Sequence, residues 1–208
     1  MNTTLNIKIP QTIRLVVLDL DGTLYQKKGL ARRMFFAAPK DWKLMLAERK
    51  TRKHLRGKWL QNEDDFYQLY FQTMARYCNF SATELRTWYF DQYMPLMVEQ
   101  ISKYHKPVNW LADLINICKD KSIKLVVLSD YGHVSEKLKA LGIDINLFDW
   151  MISAPELGGL KPASQILIQV LDRENVTPQQ CLVVGDREDT DGQLAQSVGA
   201  FFEVNPKS

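Results

Sequence analysis

The 208 residues contain no run of eighteen apolar residues, so no stretch is long enough to cross a bilayer as a helix and no membrane partner is expected. The first residues, MNTTLNIKIPQ, have neither the basic stretch nor the apolar stretch of a secretory leader, which leads to the expectation of a cytoplasmic protein. Cysteine is scarce. Cys78, Cys118 and Cys181 are an odd number at wide, irregular spacing, which supports neither a disulfide framework nor a zinc site. Each sits among apolar neighbours and is expected to be a small buried hydrophobe. No internal repeat or low-complexity segment is visible. No nucleic-acid-binding motif accompanies the basic residues, so nucleic acid is not an expected partner.

What is present is a globular composition, 46% hydrophobic, of a length that buries one core or one core plus a small satellite. The net charge of +3 is unevenly spread. Residues 27–106 hold 16 Lys and Arg against 8 Asp and Glu, or +8, and the remainder holds 11 against 16, or −5. A basic insert facing an acidic core suits an anionic ligand steered to a metal held by carboxylates. A solvated, dispersed surface accounts for the same count.

The stretch from Leu15 to Leu24, LVVLDLDGTL, organises the rest. Its first four residues form a short continuous apolar run, as a strand buried on both faces of a parallel sheet requires. The run ends in Asp19, Leu20, Asp21, Gly22 and Thr23. Aspartate is almost never buried unpaired, so two at this strand end imply a cation, a proton or both. Taken by themselves they also fit helix-capping or turn residues.

From Leu30 the pattern turns helical for about seventy-five residues. Helices are expected over 30–38, 41–56 with Asp41 as cap, 62–77 on one apolar stripe, 81–90 opened by the capping box Ser81 to Glu84, and 95–104. A helix over 108–119 then leads to a buried strand at 124–128 that ends in Ser129-Asp130-Tyr131-Gly132. A helix at 135–141 and a strand at 148–153 follow. Pro162 is expected to open the next helix. A strand at 181–184 runs into Gly185-Asp186-Arg187-Glu188-Asp189-Thr190-Asp191-Gly192, followed by a short helix and a last strand at 200–204. Such alternation specifies an α/β fold with a five-stranded, Rossmann-like parallel sheet. The expected division is a core of 1–28 plus 106–208 and an all-helical segment of 29–105.

The polar groups Asp19/Asp21, Ser129, Lys161 and Asp186/Asp189/Asp191 all fall at or after strand ends, and should gather in the crevice where such sheets bind ligands. Alone, each has a plainer role: Ser129 as a strand-end or capping residue, Lys161 as a solvated lysine, the aspartates as helix caps. Their joint order decides otherwise. The segment DLDGTLY resembles the first signature, DxDGT, of the haloacid dehalogenase superfamily, and the other three signatures follow in sequence. The resemblance covers the core from end to end, and the helical segment resembles the cap that many members insert after the first strand.

The resemblance implies residue roles. Asp19 matches the nucleophile that becomes an aspartyl phosphate. Asp21 matches the acid/base, with a pKa expected to be raised by neighbouring Asp19. Ser129 matches the hydroxyl donor to the phosphoryl oxygens, and Lys161 the cation that neutralises nucleophile and phosphate. Mg²⁺ is the implied cofactor, held by Asp186, the side chain of Asp19 and the backbone carbonyl of Asp21. Asp191 is the expected second acid, with Asp189 as the alternative. Gly22, Thr23 and Asp130 fill the loop and phosphate positions, Asp130 standing where asparagine is frequent. Arg32, Arg33, Arg49, Arg52 and Arg56 are candidate substrate contacts, because Arg recognises anions bidentately. His133, just after the Ser129 loop, is expected to be a solvated helix-start residue, with contact to a substrate phosphate as the alternative, while His54 and His105 carry no signal.

The function these residues imply is a magnesium-dependent phosphatase acting on a small phosphorylated metabolite. A phosphomutase, or a non-catalytic phospholigand-binding module on the same fold, is the alternative. Neither the substrate nor the oligomeric state can be read from the sequence.

Overall fold

The computed structural model describes residues 7–206. The first strand, β1 (Leu15–Leu18), is followed by five helices before the next strand: α1 (Leu30–Ala37), α2 (Trp42–His54), α3 (Glu63–Ala75), α4 (Ala82–Trp88) and α5 (Met94–Tyr104). The chain continues through α6 (Leu111–Asp120), β2 (Lys124–Ser129), α7 (Val134–Ala140), β3 (Trp150–Ser153), α8 (Ser164–Glu174), β4 (Cys181–Gly185), α9 (Gln193–Val198) and β5 (Phe201–Val204). All five strands are parallel, in the order β3-β2-β1-β4-β5. This is the α/β, Rossmann-like sheet expected from the strand–helix alternation.

β1 is the central strand, with Leu15 paired to Lys124 on one side and Cys181 on the other. Its residues alternate between two cores. Val16 and Leu18 pack with Leu111, Leu114 and Leu138 on one face, and Leu15 and Val17 pack with Ile166, Val170 and Leu194 on the other. Both faces are therefore covered, which explains why the strand reads as a continuous apolar run. All four of its residues are at most 1% exposed. Burying side chains of this kind stabilises the fold by about 1.5–3 kcal/mol each.

The helical segment packs around aromatics. Phe66, Tyr67, Tyr70 and Phe71 of α3 meet Tyr89 and Phe90, with Tyr67 edge-on to Phe90 at 5.1 Å between ring centres. Its ends follow ordinary capping chemistry. The Asn62 side chain accepts from Asp65 N at the start of α3, with three acids in the first turn, and Ser81 and Glu84 form the expected capping box of α4.

Some boundaries differ from expectation. The helices expected over 81–90 and 95–104 are joined by a wide π-helical turn at Tyr89–Tyr93, so Pro95 falls inside a continuous helical path at the start of α5. Asp41 makes no cap, because its carboxylate instead accepts the Trp88 indole N–H at 3.0 Å. Pro162 does not open α8, which begins two residues later at Ser164. The three cysteines are unpaired, and Cys78 is only half-buried.

The helical segment is also tied to the core away from its ends. Leu60 N donates to Gly158 O at 2.7 Å, and Leu160 N donates to Lys58 O at 3.0 Å. A Cβ on Gly159 would collide with the Lys58 carbonyl, so this close approach requires glycine there. The tie holds the loop that carries Lys161.

Candidate active site

The strand order reverses beside β1, since the chain fills β2 and β3 on one side and then β4 and β5 on the other. The crevice outside the strand ends at such a switch point is where open α/β sheets bind ligands. Asp19 leaves β1 there, with its amide donating to Val184 O at 2.9 Å. Gly22 turns the chain at φ 114°, and a Cβ there would collide with the Asp186 carboxylate and the Lys27 ammonium.

Asp19 is 7% exposed, and both its carboxylate oxygens are engaged. Oδ1 accepts from Lys161 Nζ at 2.6 Å and Oδ2 from the Thr23 hydroxyl at 2.8 Å. Lys161 Nζ also donates to Asp191 Oδ1 at 2.6 Å, so one buried ammonium is shared between two buried carboxylates. Burial alone lowers the pKa of that lysine, but Asp19, Asp191 and Asp130 together hold it well above its ordinary value. Asp191 is pushed up to about 6, chiefly by burial and further by Asp19, against the pull of Lys161. Asp130 accepts the Lys161 amide at 2.9 Å and also has a raised pKa, again mainly through burial.

Carboxylate oxygens of Asp19, Asp186 and Asp191 lie within 4.8 Å of one another. Oxygen donors are what a hard divalent cation takes, and one shared ammonium leaves this cluster short of positive charge. Part of the deficit is met by Lys27, whose ammonium contacts Asp186 Oδ2 at 2.8 Å and the Asp21 carbonyl at 2.9 Å. A cationic group thus already sits on two of the three expected ligand positions, and the donor set fits Mg²⁺. Asp189 lies apart, exposed and paired with Arg187 and with Arg56 at 2.7 Å.

Asp21 differs from expectation. Its Oδ1 accepts from the Tyr25 hydroxyl at 2.7 Å and its Oδ2 from the Ser129 hydroxyl at 2.6 Å. Lys137 Nζ, fully buried, donates to both oxygens at 3.0 Å. Burial raises the pKa of this carboxyl, but the Lys137 charge and the hydrogen bonds from Ser129, Tyr25 and Lys137 outweigh it, so the net shift is downward. The expected rise driven by Asp19 is not found: the upward influence is burial, and the contacts with Lys137, Ser129 and Tyr25 reverse it. Lys137 itself titrates below its ordinary range, because the cost of burial exceeds what Asp21 returns.

Over this floor lies a cleft of about 510 Å³ with Arg49, Arg52, Lys53 and Arg56 of the helical segment among its lining residues. Arg52 donates to the Asp130 carbonyl at 2.6 Å, stacks on Tyr131 at 3.8 Å and pairs with buried Glu48. Of the five arginines singled out in the sequence, 49, 52 and 56 line this cleft, while Arg32 and Arg33 line a different cavity. His133 takes a left-handed conformation ahead of α7 and does not line the cleft.

Tyr25, Lys27, Glu48 and Lys137 are missing from the sequence reading. Only Lys137 carried a usable signal. It lies on the stripe of Val134, Leu138 and Leu141, where a lysine faces the interior.

The haloacid dehalogenase-like hydrolase family matches residues 13–199, and the chain belongs to this family. A curated relative, the protein SUPPRESSOR OF QUENCHING 1, chloroplastic, of Arabidopsis thaliana, is 32% identical over 93 residues. That match covers 41% of this chain and 9% of the relative, so the chain spans only a small fraction of that protein's length. The chain is also similar to a solved 2-haloacid dehalogenase from Pseudomonas syringae, with a TM-score of 0.61, 19% identity, and coverage of 91% of this chain and 85% of that one. A third similarity is to CbbY from Rhodobacter sphaeroides in complex with phosphate, with a TM-score of 0.64, 20% identity, and coverage of 94% and 87%. Solved proteins of different chemistry share this fold, so the fold does not choose between them and the site must.

Proposed function

We infer that the protein is a magnesium-dependent phosphatase that hydrolyses a small phosphate monoester through a phosphoryl group carried on Asp19. The observation that carries this reading is the setting of Asp19. It is a buried carboxylate at the switch point, oriented by Thr23 and Lys161, within 4.8 Å of Asp186 and Asp191 and beneath a cleft lined by arginines. Carboxylate nucleophiles of this kind transfer phosphoryl groups when an adjacent cation offsets the charge of the incoming anion. Mg²⁺ would be held by the side chains of Asp19 and Asp186 and the carbonyl of Asp21, where it would neutralise phosphoryl charge.

The chain's own groups supply the rest. Asp19 attacks phosphorus, and the oxygen–phosphorus bond to the leaving alcohol breaks as that oxygen gains a proton. Water then attacks the phosphoryl-aspartate, restoring the carboxylate and releasing phosphate. Asp21 is the proton carrier for both halves. Its contacts with Tyr25, Ser129 and Lys137 lower its pKa and so favour the carboxylate, which is the form that takes a proton from water in the second half. For the first half it must gain a proton, which requires these donors to turn partly towards the incoming phosphoryl group. Ser129, now donating to Asp21 and outside the lining of the cleft, would have to make that exchange as the site rearranges.

The helical segment acts as a cap over the cleft, excluding water during the first step. Its arginines set the preference for anions. Dehalogenation is disfavoured because in this family that chemistry lacks the second aspartate, and Asp21 is present. The three unpaired cysteines suit a reducing compartment such as the cytoplasm. The test is release of inorganic phosphate from a panel of phosphorylated metabolites with Mg²⁺, using Asp19→Asn as control. Turnover of at least one monoester by wild type is expected. No turnover, or a control that keeps more than about 1% of the rate, overturns the reading, since one catalytic group is worth about 10² or more.

A further inference from the structure

A second cavity, of about 660 Å³ against about 510 Å³ for the cleft, opens where the helical segment joins the core. Its walls are the two connecting stretches, 26–29 leaving the sheet and 104–109 returning to it. These stretches are stitched together by the Tyr25–Pro107 bridge and by Val108 N donating to Leu24 O at 2.9 Å. Lys28, Arg32, Arg33, His105 and Lys106 line the cavity, and no carboxylate does. None of the four lysines and arginines pairs with a carboxylate among the described residues. In the cleft, by contrast, the basic residues face five acids. Here the positive charge has no protein counterpart.

The cavity is also organised. His105 is 8% exposed, and its Nδ1 lies 2.7 Å from the Gln26 carbonyl, so Nδ1 carries the proton and donates it. Nε2 is then an acceptor, and Arg33 Nη1 reaches it at 3.4 Å and the Lys28 carbonyl at 3.3 Å. The Arg33 guanidinium also stacks on Tyr104 at 4.9 Å. These contacts fix the plane of the fork through Nη1 and leave its Nε and Nη2 donors for a ligand. A pre-set fork gives up less freedom on binding than a loose one, and planar bidentate recognition is what Arg offers to phosphoryl and carboxylate groups. Arg32 and Lys106 supply further cations, and the volume falls in the range of small-molecule sites, about 300–1,000 Å³.

We propose that this cavity is a second anion-binding site, separate from the cleft, that takes a compact, multiply charged phosphoryl compound. It lies one side chain from the catalytic floor. The His105 ring meets Tyr25 edge-on at 5.2 Å, and the Tyr25 hydroxyl is the one that donates to Asp21. The proposal does not depend on the chain being a phosphatase, because it rests on charge and shape at the junction alone.

The experiment uses inorganic pyrophosphate as probe, titrated without metal at low salt into the full-length protein, with binding followed through backbone amide resonances. The amides of Gly29, Ala31, Arg32, Arg33 and Lys106 report the junction, and those of Asp130 and Tyr131 report the cleft. The junction amides should shift along a saturating curve. The double variant Arg32→Gln/Lys106→Gln should weaken that response at least tenfold while leaving the cleft response in place. Both side chains are exposed, so the variant retains the fold, and an unchanged amide spectrum elsewhere checks this. Junction amides that do not move, that drift without saturating, or that saturate equally in the double variant overturn the proposal.

Discussion

Replacing Lys137 with Met tests the buried ion pair between Lys137 and Asp21. Methionine is unbranched and close to lysine in size, one heavy atom shorter, and carries no charge. The Lys137 ammonium is 0% exposed and contacts both Asp21 oxygens at 3.0 Å, while the carboxylate is 11% exposed. Removing one partner of a buried pair costs about 3–5 kcal/mol, because the other charge is left uncompensated. For a chain of this size that corresponds to a drop of about 6–20 °C in melting temperature. The sign of the pH dependence follows from Asp21. In wild type its folded pKa lies below 3.8, so on the acid side the pair's contribution is present above that value and lost as pH falls through the lowered pKa. In Lys137→Met, burial raises the pKa of Asp21 above 3.8, so the variant loses stability as pH rises from there. The deficit should therefore be small near pH 4 and grow towards pH 7. Asp21→Asn added to Lys137→Met should recover most of it, since the amide needs no counter-charge. Thermal unfolding of the three proteins at both pH values is the assay. The reasoning is refuted by equal melting temperatures for wild type and Lys137→Met at pH 7, by a deficit that does not change with pH, or by no recovery in the double variant.

Three further outcomes are expected. Asp21→Asn should slow hydrolysis by about 10² or more and let phosphoryl-Asp19 accumulate, which acid quench and mass spectrometry would detect; unchanged rates in both half-reactions would remove Asp21 from its role. Asp186→Ala should raise the magnesium requirement far more than Asp189→Ala, because Asp186 lies in the carboxylate cluster and Asp189 in an exposed ion pair with Arg56 and Arg187; a magnesium titration that ranks them the other way rejects the ligand assignment. Lys27→Ala should tighten Mg²⁺ binding measured calorimetrically, because the Lys27 ammonium contacts Asp186 and the Asp21 carbonyl and must leave before a metal enters; weaker binding would mean that it assists the site instead.

The parts of this molecule that were legible in the sequence are those whose environment is set by neighbours along the chain or by a motif. β1 prints as an apolar run because both its faces are buried, and the capping box at Ser81 is local by construction. Parallel topology brings strand ends to one edge, and there the structure joins Asp19, Lys161 and Asp191 through direct contacts, while Asp189, expected in the same group, lies apart with Arg56 and Arg187. The ionisation of Asp21 was not legible, because it depends on Lys137, 116 residues away, and on how α7 packs against the end of β1. For the same reason the five arginines could be nominated but not sorted. Arg49, Arg52 and Arg56 belong with α2 over the cleft and Arg32 and Arg33 with α1 over the junction, and that split depends on how two helices pack.

The deeper consequence is one of charge. Lys161 is a single ammonium serving two buried carboxylates, so the immediate surroundings of Asp19 are short of positive charge, although Arg49, Arg52, Lys53, Arg56 and Arg187 also line the cleft. A phosphoryl dianion is drawn into the cleft by those basic side chains, but beside Asp19 it meets like charge that a further cation would offset. Lys27 offsets part of that charge from a side chain that is 47% exposed, where solvent weakens its pull. A divalent cation held by Asp19, Asp186 and the Asp21 carbonyl would take over the position of Lys27 and supply that offset from within the carboxylate cluster.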